Sequence, residues 1–177
     1  CKNAGALRRR DVQPMENLIR RCAALHLEHI RTGGDPFEMG RARPLDFGHW
    51  AAHRLEIMTG YRLGHGQAVA VGIALDACYA TRRGWLAASD FERLCSALVE
   101  AGLPIWDPAL ARRDRRGRLA ILEGLRDFRE HLGGELCVTL PDGLGRRHEV
   151  HEMDTKAIAW CIRFLQVRAC ADHPNVR

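Results

Sequence analysis

Lysine is almost missing from this chain: of its 27 basic residues only Lys2 and Lys156 are lysines, and the arginines are scattered along the whole length. Aromatic residues are equally scarce at 6%. The two dense arginine clusters, Arg8-Arg9-Arg10 and Arg112-Arg113-Asp114-Arg115-Arg116, are not interleaved with the rings that a base-stacking surface needs. A net charge of +5 therefore argues as well for an anionic small substrate as for nucleic acid, and no nucleic-acid partner is expected. Long apolar runs are also missing. The stretch 68–77 is broken by Gly72 and Asp76 and is shorter than the roughly 18 residues that span a bilayer, so no membrane partner is expected either. No apolar core follows the charges of the amino-terminal stretch, as a signal peptide would require. The seven cysteines form no C-x-x-C pair. Cys22, Cys78, Cys95 and Cys161 sit where amphipathic helices bury small apolar groups, which fits free thiols in a reducing compartment, the cytoplasm. Finally, no strand–loop–helix carries a dinucleotide glycine fingerprint; Gly133-Gly134 and Gly143-x-Gly145 read as turns.

What is present is a succession of helices. At 177 residues, 46% of them hydrophobic and 28% charged, the chain suits one globular domain with a real core. Pro14 opens a helix to about Arg31, with Met15, Leu18, Ile19, Cys22, Leu25 and Ile30 as an apolar stripe. Further helices are expected over 47–59 and 65–83, and from a Ser89–Glu92 capping box to Gly102. A short one should follow Asp107-Pro108, then another over 118–129 and a last one from Asp154 to about Ala171. Residues 135–140 and 147–151 read as a hairpin around Pro141-Asp142-Gly143. The expected fold class is mainly α: a helical bundle-like single domain over 1–177 with one small β-hairpin. Trp85, Trp106 and Trp160 are expected to anchor helices, and His148 and His151 to lie at the surface.

The residues that carry chemistry are histidines. His49 and His53 are four apart and share a helical face, and His65 opens the next apolar helix after a short Gly-Tyr turn. Zinc in catalytic sites takes three protein ligands and keeps one open position, so two of these imidazoles with one carboxylate would suffice.

The order Leu45-Asp46-Phe47-Gly48-His49-x-x-x-His53, then His65-Gly66-Gln67-Ala68-Val69, resembles the paired histidine blocks of the 3-dehydroquinate synthase family of sugar phosphate cyclases. The usual forms there are Asn-hydrophobic-Gly-His-Thr-x-Gly-His and His-Gly-Glu-x-Val. Ile19-Arg20-Arg21-Cys22, Ala101-Gly102-Leu103-Pro104, Leu125-Arg126-Asp127 and the Leu140-Pro141 hairpin follow in family order, so the resemblance covers nearly the whole chain. It implies the carboxy-terminal, metal-binding half of such an enzyme, with the amino-terminal NAD-binding domain absent. The opening on Cys1 rather than methionine fits a fragment or a trimmed chain.

The resemblance further implies that His49 and His65 ligate Zn or Co, the third ligand being a glutamate upstream of Cys1. It makes His53 a proton relay beside the substrate phosphate, and Glu38, Asp46, His26 and Arg129 substrate-facing. The implied reaction is a phosphate-eliminating carbon–oxygen lyase sequence. NAD transiently oxidises a hydroxyl of a heptulose phosphate, phosphate leaves, and an intramolecular aldol addition closes the ring. Family members are usually homodimers.

Three departures bear on the substrate. A family lysine becomes His26, a family arginine becomes Ala42 between Arg41 and Arg43, and a family lysine pair becomes Phe128-Arg129. The first two hold a substrate carboxylate in dehydroquinate synthases, and losing one charge-assisted bond costs about 1.5–3 kcal/mol. Two readings stay open: a sedoheptulose 7-phosphate-like substrate without that carboxylate, or the original one with Arg41 or Arg43 reaching in. Asp46 in place of asparagine adds negative charge near the expected phosphate unless it is protonated or turned towards an arginine or the metal. A non-catalytic metal-binding scaffold derived from the family is the rival reading, and a nucleic-acid module ranks last.

Overall fold

The computed structural model describes residues 2–32, 44–131 and 133–172. Its elements in chain order are α1 (Ala4–Arg8), α2 (Val12–Thr32), α3 (His49–Met58), α4 (His65–Arg82), α5 (Ala88–Glu100), α6 (Glu123–His131), β1 (Val138–Pro141), β2 (Arg147–Val150) and α7 (Thr155–Asp172). Three short 3-10 turns, Pro44–Asp46, Pro108–Ala111 and Ala120–Leu122, join them. The domain is mainly helical with one antiparallel hairpin, in which Val138 faces Val150 and Leu140 faces His148.

Helix α4 is the axis of the fold. Ala68, Ala70, Val71, Gly72, Ala74, Leu75, Ala77, Cys78 and Ala80 are all buried, so the helix is apolar nearly all round and must be covered on every side. It packs against α3, α5, α7 and β1, while α6 lies against α3. Its small side chains let these neighbours approach closely. Ile158, Cys161, Ile162 and Leu165 of α7, Phe91 and Cys95 of α5, and Leu140 of β1 complete the core. No helix of the described residues is long and apolar enough to cross a membrane.

Several boundaries and burials differ from the sequence expectation. Helix α5 starts at Ala88, behind an Ala87 N-cap that offers no side-chain bond, so Ser89 lies inside the helix and cannot cap it. Asp90 in that first turn instead pairs with Arg93 at 3.2 Å. Helix α6 starts at Glu123, not 118, because Asp114 captures the preceding loop: its carboxylate accepts from the Arg116 and Arg118 amides at 2.8 and 2.9 Å. At the last helix the expected cap holds, with Asp154 accepting from the Lys156 amide at 2.8 Å.

The apolar stripe of α2 is present but largely uncovered among the described residues: Leu18, Ile19 and Leu25 are exposed, Met15 and Ile30 are half-buried, and no residue of that helix is fully buried. Cys22 is therefore exposed rather than buried. Cys78, Cys95 and Cys161 are buried free thiols as anticipated. The neighbouring Cys161 thiol, then burial, push Cys78 far above the ordinary thiol range, which leaves it unreactive. Trp85 and Trp106 pack partly against the core, but Trp160 is a surface ring stacked on Phe164 beneath the Arg82 guanidinium. The fully buried tryptophan is Trp50.

Candidate metal centre

Where α3 begins is decided by backbone contact. Gly48 caps the helix in the left-handed region at φ +81, and a Cβ on Gly72 of α4 would sit 2.0 Å from the Gly48 carbonyl oxygen. Only two glycines permit that crossing. Asp76, one turn further along α4, secures it: its carboxylate accepts from the Gly48 amide at 3.0 Å and from the Trp50 indole at 2.8 Å. His49, between those two donors, is thereby placed as the first residue of α3.

The α3–α4 connection brings the second block alongside. Gly60 and Tyr61 adopt consecutive left-handed conformations at φ +59 and +60, reversing the chain within a few residues. Gly64 then caps α4, and the Gln67 side-chain oxygen accepts from its amide at 3.2 Å. Gln67 thus serves as a helix cap at the position where the family's usual block has glutamate.

The result is a triad of imidazoles. The His49 ring centroid lies 5.5 Å from that of His53 and 5.5 Å from that of His65, and His53 lies 6.0 Å from His65. His49 is half-buried, whereas His53 and His65 are exposed, so the group opens outward. The His49 Nδ1 is 3.2 Å from the Phe47 carbonyl. A carbonyl only accepts, so Nδ1 carries the proton and Nε2 is the free donor atom. Ligand atoms of His53, Glu56 and His65 lie within 4.8 Å of one another. Imidazole nitrogens suit zinc or cobalt, and the clustered histidines fit such an ion.

Helix α6 closes one flank. Gly124 meets α3 so tightly that a Cβ there would come 2.6 Å from the Trp50 carbonyl. This brings Asp127 to 3.4 Å from Arg54. A cleft of about 190 Å³ is left between Trp50, His53, Arg54, Asp127 and Phe128.

The other sequence-derived site residues are less concentrated. His26 is exposed on α2, and Arg129 is exposed on α6 two residues beyond Asp127. Asp46 ends the 3-10 turn before the first histidine and acts electrostatically on Cys137, beside the hairpin. Glu38, with Arg41, Ala42 and Arg43, lies outside the described residues. Two residues that matter here had escaped the sequence reading. Glu56 could have been found as the acid three residues after His53, on the same helical face. Asp76 was visible only as the single charge inside an apolar helix.

The helical domain sets histidines at two adjacent helix starts, and comparison says which family shares that arrangement. The family model described as 3-dehydroquinate synthase C-terminal matches residues 1–117 of the 177, and the chain belongs to that family. Among solved structures it is similar to ValA, a 2-epi-5-epi-valiolone synthase from Streptomyces hygroscopicus subsp. jinggangensis 5008 with NAD+ and Zn2+ bound, at 25% identity and a TM-score of 0.75. The match covers 86% of this chain and 40% of that one, so the chain spans less than half the length of its solved relative.

Proposed function

We propose that this chain is the metal-binding half of a 3-dehydroquinate synthase-like sugar phosphate cyclase, a carbon–oxygen lyase that eliminates phosphate from a heptulose phosphate and closes a carbocycle. The observation that carries the reading is the convergence of His49, His53 and His65 from two packed helices, with centroids 5.5–6.0 Å apart. His49 and His65 would hold Zn2+ or Co2+, with a third ligand from an amino-terminal NAD-binding domain. The bound ion supplies Lewis acidity at the hydroxyl to be oxidised, and NAD supplies the hydride acceptor.

His53 is the proton relay in this reading. It is exposed on the same face as His49 and lines the cleft with Arg54 and Asp127, so it can hold a proton at the substrate phosphate. Much of the remaining proton traffic falls to the phosphate itself. His26, Glu38, Asp46 and Arg129 would line the substrate.

For the substrate, the reading favours a heptulose phosphate without a carboxylate, of the sedoheptulose 7-phosphate class. Two cations that would hold a carboxylate are replaced by His26 and Ala42, and the solved relative is named for a valiolone, not for a quinate. The test is phosphate release by the full-length polypeptide carrying this domain, with NAD and Zn2+, from sedoheptulose 7-phosphate and from the carboxylated dehydroquinate precursor. Turnover of the first alone is expected. Turnover of the second alone would overturn the substrate assignment, and release from neither would leave a non-catalytic metal-binding domain.

A further inference from the structure

We propose that Glu56 is the positioning residue for His65: its carboxylate accepts the Nδ1 proton and thereby presents Nε2 to the ion. The inference rests on the reading of this cluster as a metal centre and adds a residue to it. Glu56 stands seven residues after His49 and three after His53 on α3, so all three share one helical face. Its Oε2 lies 3.2 Å from His65 Nδ1. The Glu56 side chain is only 16% exposed against 57% for His65, which makes the carboxylate the fixed member of the pair and the imidazole the one that is oriented.

The chemistry allows one assignment of the proton. An ionised carboxylate only accepts, so His65 must carry its proton on Nδ1 when neutral. The two ring nitrogens point to opposite sides of the imidazole, and an ion on Nε2 therefore lies away from the carboxylate that holds Nδ1. Glu56 acts through His65 and is not itself a ligand, although its oxygen is close enough to the cluster to be mistaken for one. His49 has the same arrangement with a different acceptor, the Phe47 carbonyl, at the same 3.2 Å. Both proposed ligands thus have Nδ1 occupied and the same nitrogen, Nε2, left to meet over a common ion. Outer partners of this kind fix the tautomer and raise ligand basicity, and losing one weakens metal binding roughly 10–100-fold.

The test begins with the full-length polypeptide that carries this domain, freed of metal. Long-range 1H–15N spectra, recorded at a pH where the imidazoles are neutral, should show His65 as the Nδ1–H tautomer, whereas free imidazole side chains favour Nε2–H. An Nε2–H tautomer for His65 overturns the proposal whatever the variants do. Cobalt titration, followed by its visible absorption, supplies the second readout. Glu56→Ala should weaken Co2+ roughly 10–100-fold and move His65 to Nε2–H, while near-isosteric Glu56→Gln, which keeps an acceptor oxygen, should weaken it by less than about tenfold. If Glu56→Gln loses cobalt as completely as a ligand deletion, the carboxylate is a direct ligand and the proposal fails. Should the full-length wild type, with every proposed ligand present, bind no Co2+ while His65 still carries Nδ1–H, it is the metal reading that falls, and the hydrogen-bonding role stands.

Discussion

The carboxylate of Asp76 accepts the indole proton of Trp50 at 2.8 Å with both side chains fully buried, tying the centre of α4 to the first turn of α3. Its other oxygen holds the Gly48 amide, so a single acid brackets His49 from both sides without touching it. Burial raises the Asp76 carboxyl from 3.8 to about 7, against the two hydrogen bonds that favour its charged form. Asp76 is thus a structural strut under the histidine cluster.

Removing that acceptor should be severe. Asp76→Ala leaves two buried donors unpaired, each costing about 1–3 kcal/mol, so a loss of about 2–6 kcal/mol in denaturant unfolding is expected. A change below about 1 kcal/mol would mean that the bonds contribute little.

The pH dependence has a definite sign. With its folded value raised, Asp76 binds a proton more tightly in the folded protein than in the unfolded chain, so folding takes up a proton between about pH 4 and 7. Its contribution is complete below the unfolded value and is lost as pH rises through the folded one, by at most about 4 kcal/mol for a shift of about three units. Comparing unfolding free energies at about pH 4 and about pH 8, wild type should lose more stability than Asp76→Asn, which has no such proton. Equal pH slopes would rule this out.

Two glycines of α4, Gly72 and Gly66, should respond oppositely to the same substitution. Gly72→Ala drives a methyl against the Gly48 carbonyl and forces α3 off α4, with an expected cost of about 3 kcal/mol or more and loss of the imidazole cluster. Gly66 is in the first turn of α4 with nothing within 4 Å of a Cβ, so Gly66→Ala should be neutral or stabilise by up to about 1 kcal/mol. Thermal melts of the pair check both.

What could be read from sequence follows from how local the determinants are. The order of helices, the hairpin and the three histidines were legible because periodicity, turn residues and the four-residue spacing all act over short range. Starts of helices were less so. Ser89 carries a capping signature, yet the helix begins at Ala88, and residue 118 is held out of α6 by the Asp114 carboxylate. Burial was hardest. The stripe on α2 has the periodicity of a packed helix and lies exposed, because its pattern does not say what covers it. Asp76 and Glu56 gain their roles from partners 28 and nine residues away, which spacing along one helix cannot show.

Asp107 offers a contrast between a cap and an ion pair. Its Oδ1 accepts from the Ala109 amide at 2.8 Å, and its Oδ2 takes Arg62 at 3.0 Å. The arginine is 62% exposed, so the pair is screened, whereas the carboxylate is buried. Asp107→Ala should cost about 1–2 kcal/mol and Arg62→Ala less than about 1 kcal/mol in chemical unfolding. Comparable losses would show that the pair outweighs the cap.

The three imidazoles should separate by role in a cobalt titration of the full-length polypeptide. His49 and His65 each have Nδ1 engaged, by Phe47 and Glu56 respectively, and are ready to bind through Nε2. His49→Ala and His65→Ala should each weaken Co2+ binding by more than the roughly 10–100-fold that an outer partner costs. His53→Ala should bind Co2+ within about tenfold of wild type, because its proposed task is proton transfer in the cleft beside Arg54 and Asp127. In the full-length enzyme the same His53 variant should lose about 100–10,000-fold in kcat while keeping its metal. Cobalt lost from His53→Ala but retained by His49→Ala would reassign the first helix's ligand from His49 to His53 and leave the relay without a residue.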